Sequence, residues 1–322
     1  MLEVVKPGLE TSIQDYPGRI GFWAQGFPPS GPMDSWSFRL ANLLVGNDPG
    51  EAGLECQFVG PSLKFQRDGV VAVGGADMKP TLDGAAVPMW ESIVVKAGQT
   101  LALSFATLGA RCYIAVAGGI DTEPSLGSRS TFHKAGVGGM AGHALKAGQV
   151  VPVGKGKGKA GRKVKPEARP ILSTSKRWTV EVVAGPNDDW IDAAGHQRFL
   201  GADWKLSSKS DRTGFRLEGP QWSFTEKAYK KAPENGAEPS NIIDQGYPLG
   251  AINLAGQTPI ILVNDGPSMG GFINPYTVPS AAFWKLGQSK PGDVYRFKVI
   301  SVDEAQTLRL ALRAVCQPSS IV

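Results

Sequence analysis

An apolar run, Pro259-Ile260-Ile261-Leu262-Val263, breaks into Asn264-Asp265-Gly266-Pro267-Ser268-Met269-Gly270-Gly271-Phe272. Gly266, Gly270 and Gly271 predict a loop that takes backbone angles other residues resist and lets a ligand approach the main chain closely. Pro267 would stiffen that loop, and Ser268 sets a hydroxyl beside the Asp265 carboxylate. Successive amides on such a loop form a concavity suited to an anion or a developing oxyanion. A tight strand-to-strand turn would use the same residues. The loop gains meaning only from its company.

Four further segments combine Gly or Pro with polar groups. Residues 11–19 hold Gln14-Asp15-Tyr16-Pro17-Gly18-Arg19, and residues 28–35 hold Ser30-Gly31-Pro32-Met33-Asp34-Ser35. Gly118-Gly119 is followed by Gly127-Ser128-Arg129-Ser130-Thr131, whose guanidinium and hydroxyls suit a carboxylate or carbamoyl oxygen. A hydroxyl-capped turn with Arg129 paired to a structural acid explains that segment equally. Asp34 is most simply a helix N-cap, yet its carboxylate could accept from an amide NH2. In the fourth segment, residues 208–219, Arg212 and Arg216 alternate on a strand and share a face, where one of them could serve a structural ion pair.

Two other patterns fail. The Gly-rich stretch 136–142 lacks the strand–GxGxxG–helix context of a nucleotide site. No GxSxG elbow occurs, and His133, His143 and His196 lack a serine–acid pattern or metal spacing.

The elements that must position these groups are mostly strands. Residues 69–73, 92–95, 112–116, 178–183 and 294–299 are short, β-branched and bounded by turn residues, and Asp83-Gly84 signals a hairpin. Helices are few. Asp34-Ser35 opens one that ends before Gly46, Asp188 or Asp189 opens a second through Phe199, and Ser280 caps a third ending at Gly287. The fold class expected is mainly β with a few helices, in two related β-barrel domains. Pairing them would create a cleft, a common location for ligand sites.

Gly 41 and Pro 24 in 322 residues agree with many short strands. The net charge of +5 is concentrated in residues 154–170, GKGKGKAGRKVKPEARP, leaving the remainder close to neutral. That run predicts a flexible basic linker between domains spanning 1–153 and 171–322. It lacks interleaved aromatic residues, so nucleic acid is not an expected partner. Three cysteines are too few for a disulfide framework, and no signal pattern or membrane span is visible. A cytoplasmic location without membrane association is expected.

Taken in order, these segments resemble the biotin-dependent carboxyltransferase family, which includes the urea carboxylase carboxyltransferase domain, allophanate hydrolase subunit 2 and the C component of 5-oxoprolinase. The resemblance runs from Gln14-Asp15-Tyr16-Pro17-Gly18-Arg19 through Ser30-Gly31-Pro32-Met33-Asp34, Ala41-Asn42-Leu43-Leu44-Val45-Gly46-Asn47 and Gly127-Ser128-Arg129-Ser130-Thr131 to Pro291-Gly292-Asp293. Pro239-Ser240-Asn241, Asp265-Gly266-Pro267-Ser268-Met269-Gly270-Gly271-Phe272 and Trp284-Lys285-Leu286-Gly287-Gln288 look like the urea carboxylase branch. Glu238, where that branch tends to have His, and Ile273-Asn274, in place of Val-Cys, are departures that bear on the substrate.

The resemblance implies cyclophilin-like β-barrels and transfer of CO2 from carboxybiotin to an amide nitrogen of urea or a urea-like compound such as guanidine. Donors aimed at biotin's ureido oxygen would supply the catalysis. On that reading Arg129, Asp34, Asp265 and Lys285 are the candidate catalytic residues. Gln14, Ser128, Ser130, Asn241, Ser268, Gly270, Gly271, Gln288 and Arg212 are the candidate substrate-binding residues. Biotin would arrive on a separate carrier protein, since no Ala-Met-Lys-Met tetrapeptide is present. ATP would act only through a partner biotin carboxylase, and a companion carboxyltransferase subunit is expected. The alternatives are the C component of a 5-oxoprolinase and a non-catalytic regulatory module.

Overall fold

In a computed structural model describing residues 1–322, the chain divides into two compact units. The first comprises residues 1–22, 29–172 and 311–322, and the second residues 23–28 and 173–310.

Two antiparallel sheets build the first unit. One orders its strands Val150–Val151, Leu2–Lys6, Ser62–Phe65, Thr100–Ala102, Thr81–Leu82 and Ala85–Ala86. The other orders Glu10–Gln14, Gly53–Gln57, Leu108–Val116, Gly69–Asp77 and Ser92–Val95. Leu2, Val4, Leu63 and Leu101 of the first sheet meet Ile13, Leu54, Val71, Val73 and Ile114 of the second in one buried core. The intervening residues Val70, Ala72, Tyr113 and Ala115 pack on the opposite face against Phe38, Leu40 and Leu44 of the Ser35–Leu44 helix. Strands apolar on both faces are therefore covered twice, which a period of two requires. The expected hairpin forms, with Asp83 and Gly84 at φ +50° and +85°.

The second unit closes a seven-stranded barrel in the order Arg177–Ala184, Tyr276–Thr277, Ala251–Ala255, Thr258–Leu262, Gly214–Glu218, Trp204–Leu206 and Val294–Val299. Closure is made by a parallel pair that sets Trp178 against Tyr295 and Val180 against Phe297. Phe199, from the Ala193–Gly201 helix, plugs the interior, its ring 4.6 Å from Tyr276 and 4.5 Å from Phe297. A separate ribbon pairs Asn241–Gly246 with Met269–Phe272. No helix is long and apolar enough to cross a membrane.

Three expectations change. The second helix does not start at Asp188 or Asp189, which form a 3-10 turn; Asp192 caps it by accepting from the Gly195 amide at 2.7 Å. Gly287 lies inside the Phe283–Gln288 helix instead of ending it. Residues 154–170 are packed where a flexible linker was expected. Val164 and Ala168 are buried in the first unit, Ser92 and Arg162 exchange hydrogen bonds, and Lys163 pairs with Val322 through both backbone groups. The domain boundaries move accordingly, because the first unit extends to Leu172 and recovers residues 311–322.

Candidate functional site

In the first unit, the turn carrying Ser128, Arg129 and Ser130 is organised by Asp15. One Asp15 carboxylate oxygen accepts from Ser128 Oγ at 2.5 Å and Ser130 Oγ at 2.6 Å, and the other accepts from the Arg129 amide at 2.7 Å. The Asp15 amide in turn donates to Ser130 Oγ at 2.9 Å. Both hydroxyls are buried and already donate to an acid of the chain, so they are not the outward donors expected of them. Arg129 Nε donates to the Thr122 carbonyl at 2.7 Å and Nη2 to Asp121 at 3.1 Å, with the side chain still 28% exposed. Of that turn, Arg129 keeps access to solvent.

Gln14 sits just before Asp15 and is fully buried. Its Nε2 donates to Ser12 Oγ at 3.0 Å and its Oε1 accepts from the Gly31 amide at 3.0 Å, tying the two polar loops together. Asp34 proves to be the helix cap, accepting from the Ser37 amide at 3.0 Å and Ser37 Oγ at 2.5 Å. Its own amide donates to Tyr113 Oη at 2.8 Å, and that hydroxyl donates to Glu55 at 2.9 Å. Arg111, buried as deeply, lies 3.6 Å from Glu55. Burial, with Glu55 and Asp34 adding negative charge, holds the Tyr113 phenol well above its ordinary value. Asp34 therefore anchors a buried charged network, and its own side chain is fully buried.

In the second unit, Asp265 and Arg212 are partners. Arg212 Nε donates to one Asp265 oxygen at 3.0 Å and Nη2 to the other at 3.4 Å, with both side chains about 5% exposed. The Asp265 amide returns to the Arg212 carbonyl at 2.8 Å. The loop glycines have another purpose than the one expected. Gly266, Gly270 and Gly271 are absent from the positive-φ residues, so they are not needed for left-handed backbone. A Cβ on Gly270 would lie 2.9 Å from the Tyr247 ring, and one on Gly266 would lie 2.9 Å from the Val263 carbonyl. Close packing selects glycine here. Gly270 and Gly271 belong to the ribbon strand Met269–Phe272, which pairs with Asn241–Gly246.

Lys285 donates to both oxygens of Glu181, at 2.8 and 2.7 Å, and to the Thr179 carbonyl at 2.8 Å. Gln288 is fully buried at the end of its helix. Asn241 and Ser268 stand at the ribbon: Asn241 faces Phe272 in register, and the Ser268 carbonyl accepts from the Tyr247 amide at 2.8 Å.

Two buried carboxamide oxygens escaped the sequence reading. Leu254 N donates to the Ile273 carbonyl at 3.2 Å, bringing the segments that carry Asn253 and Asn274 side by side. Asn187 Oδ1 accepts from the Asn274 amide at 2.8 Å and from Gln245 Nε2 at 2.7 Å. The side-chain oxygens of Asn253 and Asn274 are buried with no hydrogen-bond partner. Such atoms cost free energy unless a ligand or water satisfies them. Single asparagines, one mid-strand and one in a loop, carry no signal in sequence; only the fold shows that their oxygens are buried. Nearby, His196 Nδ1 lies 2.6 Å from Tyr276 Oη, and burial followed by the Asp188 charge pushes that phenol up to about 12.

The chemistry on offer is thus polar recognition, and no three His, Cys, Asp or Glu side chains are grouped to hold a metal ion. Donors and acceptors of this kind suit an amide-bearing or ureido ligand.

Residues 25–299 match the family model described as carboxyltransferase domain, subdomain A and B. The chain is 41% identical over 315 residues to urea amidolyase of Saccharomyces cerevisiae, covering 96% of this chain and 17% of that protein. It is 34% identical over 311 residues to the C component of 5-oxoprolinase of Escherichia coli, covering 96% of this chain and 94% of that one. The crystal structure of the K. lactis urea amidolyase superposes with a TM-score of 0.93 at 39% identity, over 98% of this chain and 20% of that chain. The chain thus spans about a fifth or less of the length of the urea amidolyases it matches. On the extent of the family match and the identity to these relatives, it belongs to the carboxyltransferase domain family, subdomains A and B.

Proposed function

We propose that this carboxyltransferase-type domain moves a carboxyl group from carboxylated biotin to an amide nitrogen of urea or a urea-like compound such as guanidine. The observation that carries this reading is the pair of buried, unpartnered amide oxygens on Asn253 and Asn274. Amide oxygens accept from N–H groups, and biotin's ureido ring, urea and guanidine all present N–H groups. The residues present therefore fit such a group.

Bound biotin supplies the transferable carboxyl group. The chain's own residues hold and orient. Asn253 and Asn274 accept from N–H groups of the ligand, and the Ser268 hydroxyl provides a donor for a carbonyl oxygen. The Arg212–Asp265 pair keeps a fixed dipole beside that loop at no reorganisation cost during reaction. In the first unit, the exposed part of Arg129 offers N–H donors to a carboxylate, with Asp15 holding its turn in shape. Holding the acceptor nitrogen close to the carboxyl group removes much of the entropic barrier.

Biotin would be brought on a separate carrier protein, charged by a partner biotin carboxylase that uses ATP, and a companion carboxyltransferase subunit would fill out the assembly. The relatives of higher identity that are named for urea support the acceptor. The whole-length match to the C component of 5-oxoprolinase favours a second reading, in which the acceptor system handles 5-oxoproline.

One reconstitution decides between them. The chain is combined with a biotin carboxylase, its biotinylated carrier and a companion subunit, and ATP hydrolysis is followed with urea, guanidine or 5-oxoproline. Stimulation by urea or guanidine supports the first reading and stimulation by 5-oxoproline the second; stimulation by none removes both. Asn274→Leu should then lower turnover at least tenfold with the fold intact.

A further inference from the structure

The basic run at 154–159 obeys a strict alternation, Gly-Lys-Gly-Lys-Gly-Lys. In extended chain, alternate residues face opposite sides. The glycine side lies so close to the first unit that no side chain fits. A Cβ would meet the Gly118 carbonyl oxygen at 2.2 Å from Gly154, the Gly118 nitrogen at 2.3 Å from Gly156, and Ala117 Cβ at 2.7 Å from Gly158. The lysines thereby fall on the other side of the strip from the packed glycine side. Lys155 and Lys157 line a cavity of about 400 Å³ with Arg67, Asp68 and the apolar residues Phe65 and Val116.

Three observations converge on an anion. Arg67 is fixed by donating to the Val153 carbonyl at 2.9 Å and to the Gly154 carbonyl, so its guanidinium is held at the cavity wall. The one acid present is already neutralised, because Asp68 accepts from Lys96 Nζ and the Ala97 amide, both at 2.9 Å. The amides of Lys155, Gly156, Lys157 and Gly158 donate to no group of the protein, so the alternate ones that face the cavity are N–H donors open to a ligand. Cations together with uncommitted amides on glycine-rich backbone are how proteins cradle phosphate.

We propose that this cavity is a phosphate-binding site, taking the dianion either free or as the terminal group of a small phosphomonoester. Its size matches a small-molecule pocket, and the apolar residues Phe65 and Val116 in its lining favour a compact ligand over an extended polyanion. None of its residues is among those assigned to carboxyl transfer.

The test is calorimetric titration of the whole chain at low salt with inorganic phosphate, adenosine monophosphate and adenosine. Phosphate and the nucleotide should bind saturably and adenosine should not. The double variant Lys155→Gln/Lys157→Gln should weaken binding at least tenfold while circular dichroism is unchanged. Lys205→Gln/Lys209→Gln, which removes the same charge from the second unit, should leave it unchanged. Tighter binding of the nucleotide identifies a phosphomonoester as the ligand, and equal binding identifies free phosphate. Absence of saturable binding overturns the site, as does equal weakening by both double variants. So does a duplex DNA oligomer that binds through Lys155 and Lys157 when neither phosphate nor the nucleotide does.

Discussion

Asp15 accepts three donors from one turn, and a carboxylate so used is difficult to replace. Asp15→Asn keeps the size but turns an NH2 toward groups that are themselves donors. Hydrogen bonds to a charged acceptor are worth about 1.5–3 kcal/mol each, so the variant should lose on the order of 2 kcal/mol in urea denaturation. A loss under about 0.5 kcal/mol would show that the turn holds itself. Arg212→Met tests the second unit more severely. It leaves Asp265 buried without its cation, and removing one partner of such a pair costs about 3–5 kcal/mol. Residue types were readable here: Ser128, Arg129, Ser130, Asp265 and Arg212 are all polar groups held at defined positions. Their partners were not, because a sequence states what a group can donate but not which acceptor reaches it first. The Ser128 and Ser130 hydroxyls meet Asp15 across more than a hundred residues of chain, and Asp265 meets Arg212 across 53.

Among the elements, the Ser35–Leu44 helix was legible because cap and apolar stripe are local signals. Asp34→Ala should cost about 1–2 kcal/mol for the lost cap, and Asp34→Asn much less, since asparagine caps almost as well; thermal melts compare them. Equal melting of both variants would show that the carboxylate's charge, lost in both, matters more than the cap bond that asparagine keeps. The start of the Ala193–Gly201 helix was misread because three acids, Asp188, Asp189 and Asp192, compete to cap it. Choice among them depends on Ser223, whose hydroxyl bonds Asp192. The 266–271 glycines were misread for a different reason. Glycine answers two needs, unusual φ and close approach, and only the neighbour shows which applies. Gly270→Ala should therefore destabilise by about 1–3 kcal/mol through collision with Tyr247, although its backbone angles suit alanine. Combining it with Tyr247→Phe would leave most of that penalty, whereas Tyr247→Leu should relieve it.

For the molecule as a whole, the mainly β class followed from glycine, proline and short β-branched runs, since those choices agree at every level. Membership of residues 154–172 and 311–322 in the first unit did not follow. It depends on Val164 and Ala168 being covered by Ile321, a contact between residues far apart in sequence. Cys56, Cys112 and Cys316 are free thiols with no exposed surface. In native protein at about pH 8 all three should react slowly with a thiol reagent, and all should react at once in denaturant. Burial also keeps their protons on, with Cys316 pushed up to about 12 from an ordinary 9.0. The unfolded chain releases those protons first. Stability should therefore be full below pH 9.0 and fall as pH rises toward 12, with Tyr276 adding to the fall above 10.0. A denaturation midpoint that stays level from about pH 8 to 11 would contradict this. Finally, the strand of chain that seals the first unit is made after the barrel. A ribosome must deliver residues 173–310 before Ile321 can reach Val164, so the earlier-made half waits, with part of its interior uncovered, for residues 311–322 to be synthesised. Cutting the gene at residue 172 should consequently release a first unit prone to aggregate, and supplying residues 311–322 as a peptide in trans should restore its solubility.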